Sequence, residues 1–236
     1  MINEILFQLV LFLSNTIQAI TGFAGTMLAM PFSIRLIGVE NAKTVLNVFT
    51  IMACTVIVVQ NRKYVNKKVL FRMVFVMLIG MALGVWLFEK LPTDCLLFGY
   101  AWLVIMIALK KMFWKKEMKL PHAAMLVVLI VAGIIHGMFL SGGSLLVIYA
   151  VTVMKDKDEF RSTMAAVWIV LNGLLVVVHA RSGCYTPETV RMIICSMIAL
   201  FLSVRIGNYL YQRINQKNFL KITYILLFLS GVSLLI

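Results

Sequence analysis

Two hydrophobic stretches of this chain are interrupted by glycine and hydroxyl-bearing residues. They read Gln18-Ala-Ile-Thr-Gly-Phe-Ala-Gly-Thr26 and His136-Gly-Met-Phe-Leu-Ser-Gly-Gly-Ser144, and an offset of 118 lays Gly25 on Gly143, Thr26 on Ser144 and Leu28 on Leu146. A break of this kind starts a new half-helix whose first N–H groups lack an intrahelical partner. Such an end carries roughly half a positive charge and favours an anion by up to about 2 kcal/mol when partly buried. Gly22, Gly25, Gly142 and Gly143 let the backbone approach a ligand closely, and Thr21, Thr26, Ser141 and Ser144 add hydroxyls able to bind it or to cap the half-helices. Gln18 and His136 occupy matching places just before each break, where His136 is either a hydrogen-bonded core residue or a ligand contact and proton carrier. A cation site would require Asp or Glu at depth, but Glu40, Glu89, Asp94 and Glu188 all fall at the ends of hydrophobic spans. The expected ligand is therefore a small anion.

The elements that position these residues belong in a bilayer. Of 236 residues, 62% are hydrophobic and 13% charged, with mean hydropathy +1.00; a soluble domain is nearer half apolar and a quarter charged. Irregular backbone survives at membrane depth only where protein or a wet cavity surrounds it, and paired breaks in matching halves point to a transporter's binding site. Apolar windows predict an interrupted segment at 4–38 and spans near 44–61, 69–88 and 94–113. The order then recurs as an interrupted segment at 122–154 and spans near 163–180, 188–210 and 218–236. The expected fold is all-α and polytopic: two inverted repeats, 1–113 and 122–236, joined by a polar connector at 114–121. Each repeat is a re-entrant or broken helical hairpin followed by three transmembrane helices. Val58-Val59-Gln60 and Arg72-Met73 match Val177-Val178-His179 and Arg191-Met192 at offset 119.

Loop charge separates a kinked crossing from a re-entrant hairpin. If both interrupted segments cross, the 22 Lys and Arg divide 12 to 10 between the faces; if both re-enter, they divide 17 to five. The minority set is then Arg35, Lys43, Lys90, Arg181 and Arg191. Cytoplasmic loops retain cations, so re-entry is preferred, with the basic loops cytoplasmic and both termini outside. Three crossings per half would make the repeats inverted, with the hairpin tips meeting near the midplane. The first basic residue is Arg35, so no cleavable leader is expected.

Other features are read structurally. The net charge of +13 belongs to membrane-flanking loops, with no nucleic-acid motif beside it. Cys54, Cys95, Cys184 and Cys195 lack metal-ligand spacing, and neither a metal site nor a cofactor is expected. Gly22, Gly80, Gly84 and Gly133 suit close helix packing. Pro31 is expected to kink or end the first return arm. Asn47 and Asn172 are second-rank site candidates, since a polar side chain within a span most often bonds a neighbouring helix. Arg35 and Arg205 are expected to snorkel to the interface, with attraction of an anion as the alternative.

At Gly22 through Pro31 and Gly137 through Ser144, in their order of elements, the chain resembles the TauE/SafE sulfite-exporter family, and the likeness covers essentially its whole length. The resemblance implies a permease of the bacterial plasma membrane for small sulfur-containing or carboxylate anions such as sulfite, thiosulfate and sulfonates. Without an ATP-binding motif, a gradient would drive transport, with a proton as the candidate coupling ion and a homo-oligomer as a candidate assembly. An anion channel on the same breaks remains open. A membrane-embedded enzyme is disfavoured because Phe139 stands where a nucleophile elbow around Ser141 would need glycine, and no catalytic residue is expected.

Overall fold

The computed structural model describes residues 2–113, 121–154 and 156–213, with residues 225, 228 and 232. The expected span at 218–236 and connector at 114–121 lie outside these residues, apart from Pro121 and the last three. Nine α-helices are described: α1 (Ile2–Thr21), α2 (Gly25–Ile37), α3 (Val39–Asn61), α4 (Lys67–Lys90), α5 (Thr93–Phe113), α6 (His122–Phe139), α7 (Gly143–Val153), α8 (Lys157–Arg181) and α9 (Pro187–Tyr211). The fold is all-helical across the described residues, and α1, α3, α4, α8 and α9 are each long and apolar enough to cross a bilayer. Both interrupted segments break where the glycines predict, with α2 and α7 starting at Gly25 and Gly143.

Polar residues set the helix starts. Asn66 caps α4 by accepting from Val69 N, Asp156 caps α8, and Thr186 caps α9 ahead of Pro187 at its first position. Pro31 does not end the return arm: α2 runs through it to Ile37 and ends at Gly38, whose φ is +80°. Proline removes a single intrahelical hydrogen bond, and the surrounding helices keep Pro31 buried.

Contacts at the two ends of the bundle define the path of the chain. At the first end, Arg191 pairs with Glu4 at 2.9 Å, Thr189 donates to Asn41 Oδ1 at 2.7 Å, and the Cys184 thiol lies 3.7 Å from Glu40. The starts of α1 and α3 therefore share that end with the α8–α9 turn. At the second end, Asn66 donates to Glu159 at 2.7 Å and Tyr211 to Asp158 at 2.7 Å, which joins the α3–α4 turn to the start of α8 and the end of α9. The α1–α2 segment thus leaves and returns to the first end. α6 runs alongside α4 in the same direction, Gly133 against Met77 and Gly137 against Met81, and so starts from the second end. After the break the chain folds back, Gly142 against Ala132, to reach α8 at that same end. Both interrupted segments are hairpins, inserted from opposite ends.

Two close-packed seams fix the hairpins. An added Cβ at Gly80 would lie 2.0 Å from Ile130 O, at Gly84 2.2 Å from Ile134 O, and at Gly133 2.2 Å from Met77 O. The α4–α6 interface is accordingly backbone against backbone, the small-residue packing expected of these glycines. On the other side, α1 lies along α9, with Gln8 donating to Ser196 at 2.5 Å and Gly207 against Thr16 and Ala19. Large apolar side chains such as Phe71, Phe75, Ile194 and Ile198 cover the outside of α4 and α9, as a lipid-facing surface requires.

Candidate functional site

The first break is held by its own side chains. Gly22 takes φ +80°, the left-handed turn that favours glycine, and a Cβ there would meet Arg161 O at 2.7 Å. Thr21 Oγ1 accepts from Phe23 N at 3.3 Å and Ala24 N at 3.2 Å. Gln18 Oε1 accepts from Gly25 N at 2.6 Å while its Nε2 donates to Cys54 Sγ at 3.2 Å. The amides of the first break are thus largely engaged.

The second break repeats the turn without those contacts. Leu140 has φ +52° and stands at the 118 offset from Gly22. A bulky residue in that region costs of order 1–3 kcal/mol, which the surrounding structure must hold in place. Ser141 Oγ donates to Phe139 O at 2.8 Å. No side chain caps α7, the Ser144 hydroxyl included. The hydroxyls of Thr26, Ser141 and Ser144 were expected as possible caps. Those of Thr26 and Ser141 instead donate to carbonyls, because the bends leave carbonyl oxygens without helical partners.

The breaks touch one another. Thr26 Oγ1 donates to Leu140 O at 2.8 Å, and a Cβ on Gly143 would lie 2.9 Å from Phe23 O. Gln18, Thr21, Gly22, Gly25 and Thr26 are thereby brought against Ser141, Gly142, Gly143 and Ser144. His136 lies beneath this contact, 1% exposed, its ring 4.8 Å from that of Trp168. Neither ring nitrogen of His136 nor Trp168 Nε1 has a hydrogen-bond partner. A buried donor without a partner costs about 1–3 kcal/mol, and the Trp168 N–H and the His136 ring stand side by side next to the breaks.

Asn47 and Asn172 meet each other in the α3–α8 interface instead of joining the breaks. In the orientation that satisfies both its ends, the Asn47 amide donates to Asn172 Oδ1 at 2.6 Å and accepts from Val176 N at 3.2 Å. Asn172 in turn donates to Trp168 O at 2.8 Å, one helical turn back toward the breaks.

Sequence reasoning missed Trp168, Cys54 and Arg161. Trp168 sits in an apolar run and reads as core; only its approach to Gly143, 3.5 Å from an added Cβ, marks it. Arg161 counts as a loop cation but is buried, donating through Nε to Ala19 O at 2.8 Å and through its terminal nitrogens to Ala19 O and Asn208 Oδ1. It thereby satisfies a carbonyl left over at the end of α1. An apolar groove between α1 and α9, lined by Phe7, Phe12 and Ile198, includes no residue of either break.

A family profile described as Sulfite exporter TauE/SafE matches residues 7–234. Comparison with curated proteins and with solved structures gives no match.

Proposed function

The chain belongs to the sulfite exporter TauE/SafE family, and from that premise we propose that it carries its anion in the pocket where the two hairpin tips touch. Members of the family are transporters and not enzymes, so this chain is a multi-pass membrane permease for sulfite-type anions. The observation that carries the proposed site is the set of groups brought to one point: the His136 ring and the Trp168 indole, both buried without partners, and the uncapped start of α7 at Gly143. A doubly charged or singly charged oxyanion accepts from all of them, and hydrogen bonds to a charged group contribute about 1.5–3 kcal/mol each. No carboxylate of the described residues bonds to either break to oppose it.

The two halves are read as inverted repeats, since the hairpins insert from opposite ends and α1 along α9 mirrors α6 along α4. The second end is read as cytoplasmic because Arg62, Lys63, Lys67, Lys68 and Lys157 gather there. That choice would leave Glu4 and the start of the chain outside, in a bacterial plasma membrane. His136 is the residue through which a proton would couple to the anion.

Sulfite titration of the purified chain in proteoliposomes tests the site. Trp168→Phe keeps the ring and removes the N–H, so half-saturation is expected to rise about tenfold, the equivalent of one charge-assisted bond. His136→Gln is expected to weaken binding and to flatten the pH dependence of flux. Wild-type half-saturation in both variants would remove these side chains from the anion site.

A further inference from the structure

A buried polar ladder runs from the breaks toward the first end of the bundle along the α3–α8 interface. On α3, Lys43, Asn47, Thr50 and Cys54 recur at spacings of four, three and four and are all buried, so they share one face. On α8, antiparallel to it, Trp168, Asn172 and His179 form the matching row, also buried. Cys54 takes the hydrogen bond from Gln18 at the first break, and Trp168 lies against Gly143 at the second. The Asn47 amide bridges Asn172 and a point 3.5 Å from His179 Nδ1. His179 in turn lies within electrostatic range of Lys43. Lys43 therefore ends the ladder, about 16 Å along α3 from Cys54 and one turn inside the start of the helix.

Lys43 has a counterpart at the same offset that relates the breaks: 118 positions on stands Arg161. Each is 5% exposed, and each cation faces an aromatic ring, Lys43 Nζ 3.3 Å from the Phe88 centroid and the Arg161 guanidinium 4.2 Å from that of Tyr211. Their partners differ. Arg161 is engaged by Ala19 O and Asn208 Oδ1. Lys43 has neither a salt bridge nor a hydrogen bond among the described residues, although Glu40 and Glu89 lie within electrostatic range. A buried ammonium on a ring face, with its carboxylates beyond salt-bridge distance, has given up its water without a full replacement. A small anion supplies the missing partner, and the His179 ring, held by Asn47, supplies a further hydrogen-bonding group.

We propose that Lys43, with His179, forms a second anion-binding subsite near the first end, from which the polar ladder leads to the pocket between the breaks. It rests on the transport reading above for the identity of the anion, and on Lys43 itself for its position. Arg161 is the related cation already committed to holding the first hairpin, so the two repeats use one position for two purposes.

Sulfite is the probe, with the full chain in proteoliposomes and half-saturation of flux as the readout. Lys43→Met is expected to raise half-saturation at least tenfold, while Lys43→Arg, which keeps the charge, stays within threefold of wild type. A purely structural lysine would not give that split. His179→Ala is expected to raise half-saturation at least threefold and carries the test if Lys43→Met does not fold. Wild-type half-saturation in His179→Ala and in any folded Lys43→Met removes the subsite alone. Failure of the wild-type chain to bind or move sulfite is a separate result that overturns the transport reading and the subsite together.

Discussion

At the scale of single residues, the two glycines that open the half-helices are closely constrained, Gly143 by backbone and Gly25 by Gln18 and backbone. A methyl group on Gly143 would sit 2.9 Å from the Phe23 carbonyl oxygen, which no rotamer change can relieve. On Gly25 it would sit 2.6 Å from Gln18 Cβ and 3.0 Å from Ser14 O. Gly143→Ala is therefore expected to push the breaks apart and Gly25→Ala to push α2 off α1, each cutting sulfite flux by at least tenfold, while the protein still inserts and remains monodisperse. Gly173, in the middle of α8 with nothing within 4 Å of an added Cβ, is the control. Gly173→Ala is expected to leave flux unchanged and to add up to about 1 kcal/mol of helix stability. Flux that survives Gly143→Ala would reduce that glycine to a packing residue. The same scale shows where the sequence ran out. Gly22, Gly25 and Gly143 are conspicuous in a hydrophobic run, and so is His136. Trp168 is not, because an aromatic in an apolar helix is ordinarily core, and the Nε1 without a partner exists only once α6 and α8 are side by side. Lys43 reads as one of five minority loop cations until Phe88 and the end of α8 close over it.

At the scale of elements, hairpin geometry follows from length and from what each helix packs against. The 13 residues of α2 and 11 of α7 are about 20 and 16 Å long, short of the roughly 30 Å hydrocarbon core, so neither return arm spans it. The α1–α9 and α4–α6 seams hold the longer arms. Loop charge, a property of the whole chain, was enough to prefer re-entry, because changing one hairpin to a crossing reassigns every loop after it. Of the two outcomes open at Pro31, ending the arm is removed for a local reason: proline propensity is weak where neighbouring helices surround the broken bond. Two hairpins give a definite labelling pattern. Impermeant reagents are expected to reach single cysteines introduced at Tyr64 and Asp158 from one side of the membrane, and Cys184 from the other. In a hairpin-free topology, the second interrupted segment crosses and positions 64 and 158 separate. Labelling of 64 and 158 from opposite sides would therefore dismantle the second hairpin, whatever the flux.

At the scale of the whole molecule, the question is whether the breaks form a fixed pore or a pocket that faces each end in turn. The touching tips favour a pocket, since Thr26 on Leu140 and Gly143 on Phe23 leave first-half and second-half backbone in contact where a pore would need an opening. Passage then requires the two halves to move relative to one another, and the contacts that join them at each end must alternately loosen. One such contact is Thr189 on Asn41 at 2.7 Å, which ties α9 of the second half to α3 of the first. Replacing both by cysteine in a chain lacking its four native thiols allows a short bifunctional reagent to hold that end shut. Cross-linking of Asn41→Cys with Thr189→Cys is expected to stop sulfite exchange while one-sided sulfite binding persists, and cleaving the linker is expected to restore exchange. An open channel makes the opposite demand: conduction through a preformed path needs no separation of α3 from α9, so flux would continue at the uncross-linked rate. Undiminished flux through fully cross-linked protein would discard alternating access while leaving the anion pocket between the breaks standing.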